Sequence, residues 1–157
     1  MASTTFSGPV TSTAGFISGT GVNSTVTAAT LTVTAADYNG QTINLSRAAG
    51  SVVTLPAATG SNATYRFVIT TAVTSNNYII KVANATDAFN GSASVGGTTG
   101  TVFSTLPASD TLTMNGSTTG GLVGSYVQIT DIAAGEFLIS AALVGSGTPV
   151  TPFSATV

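Results

Sequence analysis

Five side chains could carry acid–base chemistry, Asp37, Asp87, Asp110, Asp131 and Glu136, and the chain has no histidine and no cysteine to work beside them. Without histidine the commonest general base, the commonest metal ligand and the Ser-His pair are all missing. Without cysteine there is no thiol nucleophile, no thiolate metal site and no disulfide framework. Asp131 and Glu136 are close in sequence, separated by Ile132-Ala133-Ala134-Gly135, which reads as a hairpin turn. Facing each other across it, they would resemble a glycosidase pair. The plainer reading makes one the start of the turn and the other a solvated strand edge. The glycine-rich 96–102 has no lysine and no following helix, so it is no phosphate loop. No acidic run spaced for calcium is present. No catalysis, metal or cofactor is expected.

Composition narrows the field further. Charged residues are 5% of 157, against about 25% in an ordinary soluble domain. Hydration must therefore come from Ser, Thr, Asn and Gly, and a net charge of −2 repels neighbours only weakly. Such a surface favours burial in an assembly. Arg47, Arg66 and Lys81, the three cations, are too few and too scattered to neutralise a phosphate backbone, so no nucleic acid is expected as a partner. The opening MASTTFSGPV lacks the basic and apolar regions of a secretory leader. No apolar run approaches the ~18 residues of a membrane-spanning helix. The absence of Trp and the four Tyr fit an outer-membrane barrel poorly, and no membrane partner is expected. Six Asn-x-Ser/Thr sequons, from Asn23 to Asn115, follow from a composition so rich in Ser and Thr.

The elements that must hold these residues are strands. Apolar residues alternate with polar ones in Leu31/Val33, Ile43/Leu45, Val53/Leu55, Tyr65/Phe67/Ile69, Tyr78/Ile80/Val82, Leu112/Met114, Val127/Ile129 and Phe137/Ile139/Ala141. Turn signals fall between them, among them Asn39-Gly40, Asn76-Asn77, Asn90-Gly91, Asn115-Gly116 and Ala134-Gly135. The pattern predicts an all-β domain over 30–157, an antiparallel β-sandwich or jelly roll. One helical turn is expected after Thr34 as cap, ended by Asn39-Gly40.

Residues 1–29 differ: they are Ser/Thr/Gly-rich with isolated apolar residues and predict an extended N-terminal arm. Phe6, Pro9, Val10, Phe16 and Ile17 are its candidate anchors on a neighbour. Val52, Val68 and Ile79 fall on strand faces opposite the expected core, which makes them candidates for a subunit interface.

The run 31–84, with Leu31, Gly40, Leu45, Gly50, Thr54-Leu55-Pro56, Gly60, Tyr65, Phe67, Tyr78 and Ile80, resembles a pattern of small head-decoration (cement) proteins of tailed bacteriophages. Gly124-Ser125-Tyr126-Val127 resembles that family's penultimate strand with Tyr in place of Trp, and Phe137 stands in the final strand. The opening TTFSGPVTSTAGFI resembles the arm of many virion proteins. The resemblance implies a virion protein on the capsid outer surface, a homo-oligomer (often a homotrimer) that binds the major capsid protein and stabilises the shell. A receptor-binding or fibre-tip domain is the alternative. There, loops at 84–104 and 115–124 would read a host surface glycan, with Phe89 and Phe103 as loop aromatics near Asp87.

Overall fold

A computed structural model of the protein describes residues 24–157. Among the described residues there are twelve strands: β1 (Ser24–Val26), β2 (Thr30–Thr32), β3 (Thr42–Leu45), β4 (Val52–Thr54), β5 (Thr64–Ile69), β6 (Tyr78–Lys81), β7 (Ala88–Val95), β8 (Thr101–Ser104), β9 (Thr111–Met114), β10 (Tyr126–Ala133), β11 (Glu136–Leu143) and β12 (Phe153–Ser154). One short helix, α1 (Ala35–Tyr38), interrupts them. It starts where the Thr34 hydroxyl accepts from the Asp37 amide, and Asn39 with left-handed Gly40 ends it.

The strands form a seven-stranded sheet, β1-β3-β5-β10-β11-β7-β8, and a five-stranded sheet, β12-β9-β6-β4-β2. Both are mixed, which corrects the antiparallel expectation: five of the ten strand pairings are parallel. From β1 to β6 the chain alternates between the two sheets, and each return lays a strand parallel to its predecessor. Parallel neighbours need a crossover, commonly a helix; here the crossover is a strand of the other sheet. Period-2 alternation is identical in the two pairing modes, so the sequence pattern does not distinguish them.

Two further differences concern β7 and β1. The expected loop 84–104 contains the β7–β8 hairpin, with β7 parallel to β11 as well. Asn90-Gly91 had the look of a turn but lies inside β7: Gly91, at φ +148, has its α-carbon against the Ile139 carbonyl, where a Cβ would collide with backbone. At the other end, β1 pairs with β3 and buries Val26, so the stretch 24–29, assigned to the arm, begins with a sheet strand. Thr-Leu-Pro-Ala occurs twice and does different work each time. Leu55 is 1% exposed in the crossover from β4 to β5, while Leu106 is 74% exposed in a turn before β9.

Both sheets feed one hydrophobic cluster. A row Ile43–Phe67–Val127–Ala141–Ala93 runs across the larger sheet, and Val53–Ile80–Leu112–Phe153 across the smaller. Phe89 and Phe137 meet with ring centroids 6.2 Å apart in a tilted arrangement. Phe67→Ala should cost about 3–5 kcal/mol of stability, whereas Val68→Thr, one residue along on the outer face, should shift it by no more than about 0.5 kcal/mol. Urea unfolding of both variants checks the contrast.

Candidate functional site

Three of the carboxylates, Asp87, Asp110 and Asp131, hold loop or terminal segments in place. Asp131, in β10, is 3% exposed and its oxygens point into the crossover Leu55–Ala63. The amides of Thr59, Gly60 and Ser61 donate to it at 2.7–3.1 Å, and the hydroxyls of Thr59 and Ser61 add bonds at 3.1 and 2.7 Å. Burial alone would raise the carboxyl's pKa. The Ser61 hydroxyl and the backbone amides of Ser61, Gly60 and Thr59 outweigh that and hold it down at about 2. The same crossover gives its Ala58 amide to Asp87 at 2.9 Å, and Asp87 also accepts from Asn84.

Asp110 performs a comparable task at the other end of the sequence. It accepts from the amides of Thr156 and Val157 at 2.8 and 3.1 Å and from the Thr111 hydroxyl, holding residues 156–157 beside β9. Burial again opposes, and these bonds again win, leaving its pKa lowered. Asp37 stays at the helix cap, where the Thr34 hydroxyl donates to it.

Asp131 and Glu136 therefore do not form a facing pair. Asp131 lies opposite Phe137 in the ladder and points inward, while Glu136 is exposed and accepts from the Asn90 side-chain amide. The register shifts between Asp131 and Ala133, and left-handed Gly135 makes the turn. The reading of these residues as a turn start and a solvated strand edge thus needs correction for Asp131, which is a buried acceptor. Its signal in the sequence was on the partner side: Thr59-Gly60-Ser61 packs amides and hydroxyls into three residues, a ready cradle for an anion. Among the described residues, no three Asp or Glu side chains gather as metal ligands would, and no helix is long and apolar enough to cross a membrane.

Val52 and Ile79 are direct cross-strand neighbours on the outer face of the five-stranded sheet, in the row Thr30–Val52–Ile79–Thr113. Val68 is on the other sheet, in the row Asn44–Val68–Tyr126–Ala142. All three are half-buried. One flat contact can hold Val52 with Ile79, but not Val68 as well. A groove of about 630 Å³ lies beside Val52 and Ile79, with Arg47, Ser51 and Asn76 among its lining. Arg47 is fixed there: its guanidinium donates to the carbonyls of Ala49 and Gly50, and its amide donates to the Tyr78 hydroxyl at 2.7 Å. That hydroxyl donates onward to Thr71, joining two loops. Burial, only partly offset by Arg47, raises the Tyr78 pKa.

The residues singled out for a glycan-reading loop are placed differently from the expectation. Phe89 is buried in β7, Phe103 is half-buried in β8, and Asp87 is engaged by Ala58 and Asn84. The loop 115–124 is closed by Asn115, which accepts from the amides of Ser117 and Thr119. Phe6, Pro9, Val10, Phe16 and Ile17 lie outside the described residues.

Because Asp131 titrates at about 2 when folded and near 3.9 when unfolded, its contribution is complete above the unfolded value and lost as pH falls through the folded one. Stability should decline by about 2 kcal/mol for this group between about pH 5 and pH 2. Asp131→Asn should remove that part of the acid limb. It should also cost about 1–3 kcal/mol at pH 7, because an amide NH₂ replaces an acceptor. Denaturant titrations of both proteins across that pH range test this.

Comparison with models of known protein families, with curated proteins and with solved structures returns no significant match to this chain.

Proposed function

We propose that the chain is a structural virion protein that decorates a bacteriophage capsid, binding the major capsid protein shell from outside and stabilising it. The observation that carries the reading is the state of the outer sheet faces. Among the described residues, Lys81 is the one charged residue within a strand of the smaller sheet, with threonines and the Val52–Ile79 pair around it. On the larger sheet Arg66 and Glu136 share the outer face with Val68, Tyr126 and the exposed Leu138 and Val102. Nearly neutral faces with apolar centres favour attachment over free solution. The four aspartates serve as loop acceptors or a helix cap, and Glu136 is an exposed strand residue that accepts from Asn90.

In this reading the two sheets face one another as a sandwich, and residues 1–22 are an arm that anchors the domain. The Val52–Ile79 face is a contact between copies of a homotrimer, and Val68 on the other sheet belongs to a separate contact. A decoration protein works by binding energy alone. A standard interface of ~1,600 Å² spans micromolar to picomolar affinity according to its anchors, and repetition over a shell multiplies its effect. If fully buried, Phe6 and Phe16 would each contribute about 1.5–3 kcal/mol.

Mass spectrometry of gradient-purified phage particles should find the chain in stoichiometric amount. Deleting residues 1–22, which leaves β1 intact, should preserve the far-UV circular dichroism of the domain. It should weaken binding to particles stripped of the protein by about tenfold or more. Absence from particles, together with binding to a host surface glycan, would move the assignment to a receptor-binding domain. Unchanged particle binding by the truncated chain would move the anchor from the arm to a sheet face.

A further inference from the structure

The seven-stranded sheet ends at β8, whose outer edge has no strand beside it among the described residues. Natural edges are kept from pairing by shortness, charge, proline or a bulge. β8 has four residues, Thr101–Ser104, in unbroken register with β7, with neither proline nor charge. The whole stretch from Ala88 to Ser109 carries no charged residue. By comparison, β2 and β12 at the edges of the other sheet have three and two residues.

The register decides which backbone groups face outward. The Thr105 amide donates to the Gly91 carbonyl and the Gly91 amide donates to the Thr105 hydroxyl, so the backbone groups of these two residues face each other. Alternation along an antiparallel ladder then turns Phe103 and Thr101 toward β7 and leaves the N–H and C=O of Val102 and Ser104 pointing away from the sheet. Val102 is also 67% exposed, a large apolar side chain on an open edge.

We propose that β8 pairs antiparallel with β8 of a second copy of this chain across a two-fold axis beside Phe103. Val102 of each copy exchanges both backbone bonds with Ser104 of the other, and the two Phe103 residues form the close, non-hydrogen-bonded pair at the centre. The second copy is favoured because the edge is its own complement. The outward groups at positions 102 and 104 match under the two-fold, and no like charges meet. Phe103 points to the core side, opposite Ala93, and is packed against the hydrophobic cluster. Placing two of these rings side by side carries the apolar layer across the join. Pairing also satisfies an edge row that the protein leaves without the usual protection, and the net charge of −2 per chain opposes it little. This contact is distinct from the Val52–Ile79 face and does not rest on the decoration reading; where trimers form, it links one trimer to the next.

The test combines sedimentation with amide exchange on the full chain. Val102→Lys puts a charge on an already exposed side chain, and Ser104→Pro removes an N–H that β7 does not use. Either change should lower the weight-average mass of the wild-type particle by at least about twofold at the same micromolar concentration. In the wild type, the Val102 and Ser104 amides should gain exchange protection as concentration rises, while Thr101 and Phe103 remain protected throughout. A mass unchanged by Val102→Lys, with the variant's native circular dichroism retained, overturns the proposal. Concentration-independent, fast exchange at Val102 and Ser104 also overturns it, leaving the edge to an extended segment of another protein.

Discussion

The Asp131 carboxylate is the point at which the two halves of the chain are joined. It sits in β10, and its donors all come from the crossover between β4 and β5, seventy or so positions earlier. A buried charge is expensive unless it is paired or richly hydrogen-bonded. Here no cation is needed, because three successive amides and two hydroxyls converge on it. The result fixes the crossover that carries the chain from β4 of the smaller sheet to β5 of the larger one. Its neighbour Asp87 takes the Ala58 amide, so the whole connection hangs from two carboxylates carried by later segments. Among the described residues no buried side-chain polar atom lacks a hydrogen-bond partner, as a core with so few charges requires.

That arrangement explains what was legible in the sequence and what was not. The inward residues were legible, because alternation reports burial directly: Ile43, Leu45, Tyr65, Phe67, Tyr78, Ile80, Val127, Ile129, Phe137 and Ile139 are all buried. The single helical turn was legible too, since Thr34 and Asn39-Gly40 are local signals acting locally. Pairing partners were not, since a strand's side chains alternate in the same way whichever direction its neighbour runs. β7 was hidden for a different reason. Its small residues and its internal Asn-Gly imitate a turn, while the cause of Gly91, the close approach of β11, lies far along the chain. Asp131 was recognised as a candidate for chemistry but not as a loop acceptor, because its partners are long-range. Of the interface residues, the pairing of Val52 with Ile79 and their separation from Val68 are matters of topology alone.

The neutral surface follows from the same economy. A sheet face hydrated by lysine and glutamate keeps other molecules away; one hydrated by threonine does so weakly. Row by row, the smaller sheet presents Thr30 and Thr113 around Val52 and Ile79, then Thr32 and Thr54 beside Lys81, whose other neighbour Thr111 is buried. β-branched threonine suits the strand and leaves each apolar pair rimmed by short hydroxyls. Such a face needs little desolvation at its centre and offers hydrogen bonds at its margin, the layout of an interface core with a polar rim.

The topology also accounts for where the parallel winding stops. Strands β1 to β6 wind between the sheets so that each turn of chain adds one parallel strand to each, and nothing in that winding limits its length. The open edges that a further turn would occupy are those of β5 and β6. Both are closed by antiparallel strands from the second half of the chain, β10 on β5 and β9 on β6. A change of strand direction at the same point in both sheets ends the winding and brings Asp131 and Asp110 to the places where they tie down loose segments. The capping half then has edges of its own. In the smaller sheet that edge is reduced to the two residues of β12. In the larger sheet β11 and β7 intervene and the burden passes outward to β8, which has neither the length limit nor the charge that would close it. The least guarded edge among the described strands is thus the far end of the cap, placed there by the same strands that stop the winding.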